Sequence, residues 1–346
     1  MRPFVHSPRS TRAVQRLIVL ASLPAALVGT WNLGWQTLIA IGNGRLDAVP
    51  EWMGLLAAAA DPTAAAESFL LASAMGLGAV LPLLAVALST AAFWAFVFAR
   101  TRRRKVDAGW FLCAWLFVWL APPSTTLGVA ALAVSFGCVV GLHIFGGTGR
   151  YLVSPALLAA LFVHFGYPEF LASPLPVPSD IASDWTLVAA GGSDLPSLTG
   201  ALLGTVPGGI GTGSALACLL GGGVLIATGV ASWRVPAGAL AGLGVGAMLL
   251  GWTADDPLAL LGGYWHLLVG SFAFALAFIA ADPTPAPLLA GTRWIYGALF
   301  GLLTVIIRVL DPTHPEGSLF ALLLAGLAVP LADHLALRRY RRDVQP

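Results

Sequence analysis

A helix that crosses the apolar core of a bilayer needs about 20 predominantly apolar residues. Read for runs of that kind, the sequence offers about ten candidate spans. They lie near 17–41, 70–99, 108–121, 126–145, 154–168, 212–230, 235–252, 261–280, 293–310 and 318–337. The third and fifth are short for a full crossing and read as tilted, partly re-entrant or supported by neighbours. The longest connection separates the fifth span from the sixth. It holds a polar stretch, Asp180-Ile181-Ala182-Ser183-Asp184-Trp185-Thr186. The pattern predicts an all-α polytopic membrane protein.

Composition agrees with that class. Apolar residues make up 58% of the sequence and charged residues 10%, against roughly 25% charged in a soluble domain. Basic residues near span ends stay on the cytoplasmic side and set the orientation. Arg2, Arg9, Arg12 and Arg16 precede the first span, and 100–105 (RTRRRK) follow the second. Alternation then places Arg150, Arg234, Arg293 and the tail Arg338-Arg339-Tyr340-Arg341-Arg342 inside, so ten spans with both termini cytoplasmic satisfy every cluster. The segment 169–211 is then extracytoplasmic. The net charge of +2 lies on the inner face and implies contact with membrane lipid, not nucleic acid. After Arg16 the apolar run Leu17 to Val28 continues through Trp31, Leu33 and Leu38 to Ile41 without an Ala-x-Ala pattern. This reads as an uncleaved span, not a signal peptide.

Cys113, Cys138 and Cys218 each stand alone in an apolar span. Their odd number and lack of C-x-x-C spacing point to no disulfide framework and no zinc or iron–sulfur site. Small buried hydrophobes is the plainer reading.

Two stretches resemble each other: ALLAALFVHFGYP at 156–168 and SLFALLLAGLAVP at 318–330. Upstream of each stands a proline break, Ala121-Pro122-Pro123-Ser124 and Ala281-Asp282-Pro283-Thr284. Five spans per half accounts for both. An odd number inserts the halves in opposite orientation, and such inverted repeats form sites at their interface beside broken helices. The predicted layout is a cytoplasmic arm (1–16), a first five-helix repeat (17–168), an extracytoplasmic loop (169–211), a second five-helix repeat (212–337) and a basic tail (338–346).

Short motifs follow in order: Phe145-Gly146-Gly147-Thr148-Gly149-Arg150, Ser154-Pro155-Ala156-Leu157, the loop ending in Thr186, and Pro207-Gly208-Gly209-Ile210-Gly211. Next come Ala231-Ser232-Trp233-Arg234, Trp265-His266-Leu267 with Phe272-Ala273-Phe274, Ala281-Asp282-Pro283, and Trp294-Ile295-Tyr296-Gly297. Ile307-Arg308-Val309, Pro312-Thr313-His314-Pro315-Glu316-Gly317 and Asp333-His334 close the series. Together they resemble the NqrB/RnfD family: NqrB of the sodium-translocating NADH:quinone oxidoreductase and RnfD of the Rnf electron transport complex. The likeness covers most of the sequence and is densest from Phe145 to His334.

That resemblance implies a ten-helix subunit of the bacterial inner membrane. Its complex couples electron transfer to movement of sodium or protons, and its partners are the other Nqr- or Rnf-type subunits. It also implies FMN joined by a phosphoester to a threonine, placed by a flavin transferase outside the cytoplasm, with riboflavin or quinone as further possible ligands. The family's attachment pattern is an acid followed by Ser-Gly-Ala-Thr, the Thr six residues after the acid. Asp180, Ser183 and Thr186 match it, while Asp184 and Trp185 replace the Gly and Ala. A carboxylate repels the FMN phosphate, and a Trp crowds the acceptor. Thr186 is therefore either the FMN acceptor or a loop threonine.

Gly208, Gly209 and Gly211 lead into the sixth span, where backbone N–H groups at a helix start attract anions. The run reads either as a cradle for flavin phosphate or as a flexible entry to a packed helix. Relatives carry an acid at the place of Thr212, an Asn at that of Ser154 and commonly an Asn at that of Gly326, so polar sites near the breaks are weakened here.

Ionisable residues inside spans default to functional hypotheses. Asp333, near the cytoplasmic end of the tenth span, is a candidate for the ion path as cation ligand or proton carrier. Glu316, with His314 at the outer mouth of that span, is a second candidate or a complement to the helix dipole. Arg308 reads as snorkelling outward or pairing with Asp311 or Glu316. His143, His164 and His266 read as satisfied buried histidines. Trp265-His266 with Phe272, Phe274 and Phe278 either flanks a flavin or quinone ring or packs the core. The leading function is an electron-relaying, flavin-carrying subunit housing part of a Na+ or H+ path and not catalytic alone, since no dinucleotide-binding pattern is present. The competing function is a divergent homologue without flavin, acting as a urea- or ammonium-transporter-like channel or as a scaffold.

Overall fold

The computed structural model describes residues 10–42, 68–167, 197–205, 209–253, 262–310 and 317–344. Among them the secondary structure is helical. The elements of the first half are Thr11–Gly42 (α1), Phe69–Thr101 (α2), Gly109–Leu120 (α3), Leu127–Phe136 (α4) continuing as a π-helical stretch Gly137–His143, and Pro155–Gly166 (α5). A short helix, Leu198–Leu203 (α6), precedes the second half. There follow Ala215–Ala227 (α7), Arg234–Thr253 (α8), Gly263–Leu268 (α9), Phe272–Phe274 (α10) continuing as a π-helical turn Ala275–Ile279, Ala290–Leu310 (α11) and Gly317–Val344 (α12). Five of these, α1, α2, α8, α11 and α12, are long and apolar enough to cross a membrane.

The sequence of each helix shows why it starts and where it faces. Ser68 caps α2 by accepting from the N–H of Leu71, and Ser214 caps α7 by accepting from that of Ala217. Pro155 opens α5, where its missing N–H costs nothing. On α2 one face buries Ala72, Met75, Val80, Leu83, Ala87 and Ala91, while Leu70, Leu81, Phe93 and Phe96 stay exposed. An apolar residue left outside the core is at home only against lipid chains. In contrast α3 is buried on almost every side, and so is the whole stretch from Phe272 to Asp282. These two pieces form the centre, with α1, α2 and α5 packed on α3, and α7, α9 and α12 beside the π-helical turn or α10.

Helix ends differ from the sequence expectation in three places. The span expected at 17–41 starts at Thr11, and that expected to end at 337 runs to Val344. In both cases the extra turns carry basic residues, and a helix continues past the apolar layer because its backbone bonds are internal. The span expected as unbroken over 261–280 is two pieces. Val269 is extended, and Gly270 takes a φ of 74° that a side chain would resist, so the chain turns before α10 begins.

The tightest crossing joins α8 to α11. A Cβ on Gly238 or Gly242 would strike the carbonyls of Trp294 or Ala298, and one on Gly297 or Gly301 would strike those of Val235 or Ala239. Each helix presents a Gly-x-x-x-Gly face to the backbone of the other, the contact that van der Waals packing rewards in lipid. Gly301→Leu is expected to force the pair apart at a cost of about 3 kcal/mol or more, read as a lower melting temperature of the detergent-solubilised protein. Gly244→Ala, where a Cβ meets open space, should leave the melt unchanged or raise it by up to about 1 kcal/mol.

Candidate functional site

Where a helix breaks inside the apolar layer, carbonyls lose their partners and must find others in the protein. The first break follows α3. There Gly211 donates its N–H to the carbonyl of Trp119 at 2.8 Å, and Ile210 donates to that of Ala121 at 3.3 Å. The Thr125 hydroxyl caps the carbonyl of Pro122 at 2.6 Å. Gly211 lies so close to Trp119 that a Cβ would collide with its side chain.

This placement bears on the glycine-rich run. The N–H groups of Ile210 and Gly211 are committed to α3, and that of Thr212 donates to the carbonyl of Gly209 at 3.1 Å. As a phosphate cradle, Gly209 to Thr212 therefore do not fit. Their glycines are explained by close approach to a broken helix. A donor that remains beside them is the indole Nε1 of Trp119, buried and without an acceptor among the described residues. Gly208 lies outside the described residues, as do Asp180, Ser183, Thr186 and Glu316.

The second break separates α9 from α10. Arg308, on α11, is 1% exposed and points inward, not outward as its neighbours in sequence suggest. Its two terminal nitrogens donate to the carbonyls of His266 at 2.7 Å and Val269 at 3.0 Å. A guanidinium at a helix C-terminus satisfies the freed carbonyls and complements the dipole. Close to this cap, Ser271 shares a hydrogen bond with Ser318 at the start of α12, 2.7 Å between hydroxyls. His266 is buried beneath this arginine. The aromatic run is core: Phe272 stacks on Phe300, and Phe274 meets Phe278 edge to face.

Three carboxylates tie the connections at the basic end of the bundle. Asp107 accepts from the N–H of Gly109 at 2.8 Å and from that of Thr148 at 2.6 Å, and the Thr148 hydroxyl donates to it as well. A Cβ on Gly147 would strike the same carboxylate, so the Gly146-Gly147-Thr148-Gly149 motif fits around Asp107. Asp282 accepts from the Tyr151 hydroxyl and from the N–H of Thr284, the latter at 2.9 Å. The bond from Tyr151 joins the two halves of the sequence. Burial pushes the Asp282 carboxyl above its ordinary range, against the pull of the Tyr151 and Thr284 hydrogen bonds. Asp333, 8% exposed, accepts from the N–H of Leu288 at 2.9 Å and from the Thr292 hydroxyl at 2.5 Å, which clamps α12 to the start of α11.

The histidines divide. His164 bonds the carbonyl of Ala160 at 2.8 Å, a local helical contact. His143 stacks on Phe98 with ring centres 4.5 Å apart, yet its Nε2 is buried with no hydrogen-bond partner among the described residues, so it is not the satisfied histidine expected. Cys113 and Cys138, expected as separate hydrophobes, lie with sulfurs 3.7 Å apart; Cys218 contacts the carbonyl of Gly211. No group of three or more His, Cys, Asp or Glu suited to a metal occurs among the described residues. Asp107, Tyr151 and Asp282 did not stand out in the sequence. The signal for the last was an acid before proline at the end of an apolar run.

Broken helices with buried caps, enclosed by apolar helices whose outer faces suit lipid, define a multi-pass membrane protein. The chain belongs to a family described as the NQR2, RnfD, RnfE family, whose model matches residues 1–341. It is similar to the NqrB protein of the Na(+)-translocating NADH-quinone reductase of Azotobacter vinelandii, 36% identical over 350 residues, covering 95% of this chain and 86% of that protein. The corresponding proteins of Yersinia pestis (35% over 348 residues; 93% and 83%) and Klebsiella pneumoniae (36% over 352 residues; 93% and 84%) are similar to a like degree.

Replacing Arg308 with Met should leave the His266 and Val269 carbonyls unsatisfied at about 1–3 kcal/mol each. The expected result is a much lower melting temperature, partly restored by Arg308→Lys, which retains the charge and one of the two contacts. A melt unchanged in Arg308→Met would show that the cap carries no stability.

Proposed function

We propose that this protein is the flavin-carrying membrane subunit of an ion-translocating electron transport complex of the Nqr/Rnf type. In that role it relays electrons between partner subunits and houses part of a Na+ or H+ path. The observation that carries the reading is likeness along nearly the whole chain to the NqrB proteins of sodium-translocating reductases, over the same residues that build the broken helices. Bound FMN would supply a carrier able to accept electrons in pairs and release them singly. The residues of this chain hold the frame: Arg308 and the Ile210–Gly211 backbone keep the two breaks in place, and Tyr151 with Asp282 couples the halves.

Ten transmembrane helices in two inverted repeats belong to this reading. Five long helices, four shorter apolar ones and the broken α9–α10 segment together number ten. If α1 to α5 correspond in order to α7, α8, the α9–α10 segment, α11 and α12, neighbours correspond too. The pair α2 and α4 then answers to α8 and α11, α4 and α5 to α11 and α12, and α2 and α3 to α8 and α9. The contact between α1 and α7 falls where a two-fold axis would bring equivalent helices together. In this arrangement both termini are cytoplasmic, the membrane is the bacterial inner membrane, and 169–211 faces the flavin transferase.

Because the described part of the glycine run gives phosphate no backbone cradle, attachment rests on Thr186 alone. The purified complex, made with an active flavin transferase, should show in-gel flavin fluorescence and an FMN mass increment on the peptide containing Thr186. Thr186→Ala should remove both. Wild-type protein lacking both signals would end the covalent proposal.

Asp333 is proposed as a cation-path residue on the inner side. Asp333→Asn keeps an acceptor for Thr292 or Leu288 but loses the charge. The apparent KM for sodium should rise roughly tenfold, about 1.4 kcal/mol of cation binding, with little change in melting temperature. Sodium dependence unchanged in that variant would leave Asp333 as a clamp only.

A further inference from the structure

A cleft of about 130 Å³ opens between α7, the turn into α8 and the π-helical turn after α10. Leu219, Gly223, Ile226, Val235 and Leu276 supply aliphatic walls, and no aromatic ring lines it. Its polar feature is Ser232, whose Oγ is buried and has no hydrogen-bond partner among the described residues. A buried hydroxyl without a partner is costly unless a ligand supplies an acceptor.

The rim has a different chemistry. Trp233 follows Ser232, is 52% exposed and meets Trp294 edge to face at 5.4 Å. Arg234 lies with its guanidinium 5.2 Å from the Trp233 ring centre and has no hydrogen-bond or ion-pair partner among the described residues. Arg293, beside Trp294, gives its Nε to the carbonyl of Pro287 at 2.9 Å. Paired tryptophans mark the level of lipid headgroups, and arginines at that level attract phosphate. Aliphatic walls without a ring to stack on suit a flexible chain better than a flavin or quinone head.

We propose that this cleft is a binding site for an acidic phospholipid. One acyl chain lies against Leu219, Ile226, Val235 and Leu276, an ester carbonyl accepts from the Ser232 hydroxyl, and the phosphate faces Arg234. The site is separate from Asp333, from the two helix breaks and from the flavin loop. A lipid held there fills the space between α7 and α8 that the protein leaves open.

The test uses the purified complex in phosphatidylcholine vesicles containing traces of a phosphatidylglycerol or a phosphatidylcholine with a diazirine near the acyl terminus. After irradiation, labelled peptides are mapped by mass spectrometry. The phosphatidylglycerol probe should label peptides spanning 219–236 about fivefold more than the phosphatidylcholine probe, the preference one interfacial arginine supplies. Arg234→Gln should erase that preference while leaving the label itself. Gly223→Leu should remove the label, because its side chain grows into the cleft from a position where a Cβ meets open space. Retained assembly with the partner subunits shows that this variant folds. Labelling unchanged in Gly223→Leu, no preference between probes in the wild type, or displacement of the label by excess short-tailed ubiquinone would each overturn the assignment.

Discussion

Carbonyl groups freed where helices break must be satisfied inside the protein, and the architecture follows from that demand. Lipid offers no donor, and an unsatisfied backbone group there costs several kcal/mol. At the end of α3 the donors are the N–H groups of Ile210 and Gly211. At the end of α9 they are the two terminal nitrogens of Arg308. One break is thus capped by a loop before α7 and the other by a side chain from α11, so neither broken helix is complete without a distant part of the chain. Residues that resemble ligand chemistry in the sequence, a glycine-rich run and an intramembrane arginine, serve the backbone first.

Around these breaks the long helices form a rigid surround. The α8–α11 crossing brings backbones into contact through four glycines, a packing that lipid cannot imitate. It carries the Arg308 side chain to α9 and presents Thr292 to Asp333. The Tyr151–Asp282 bond then links the loop before α5 to the end of the second broken helix. A protein that passes charge between partners needs such fixed spacing, since electron and ion steps depend on distances held without solvent.

Much of the fold was legible in hydropathy. The helices with strong apolar runs lie where their sequences place them, because a bilayer selects on length and apolarity alone. The break at Val269-Gly270-Ser271 was not legible, as each of these residues is also at home within a membrane helix. The inward course of Arg308 was hidden for a related reason: Asp311 and Glu316 are close in sequence, whereas the carbonyls it meets lie about forty residues away. The paired Gly-x-x-x-Gly faces of α8 and α11 were present to be read, at 238 and 242 and at 297 and 301. Of the candidate site, Asp333 was legible as a buried acid, but its clamp on Leu288 and Thr292 was not.

The sequence by itself determined the class of protein, the approximate helices, the family and the acid, serine and threonine spacing of the flavin loop. These depend on composition, local periodicity and motif order, which need no contact between distant residues. Tertiary structure alone decided that Gly211 and Ile210 serve α3, that Arg308 caps α9, and that Tyr151 binds Asp282. Each is a hydrogen bond between groups far apart in the chain, and only the packed fold brings donor and acceptor within about 3 Å of each other.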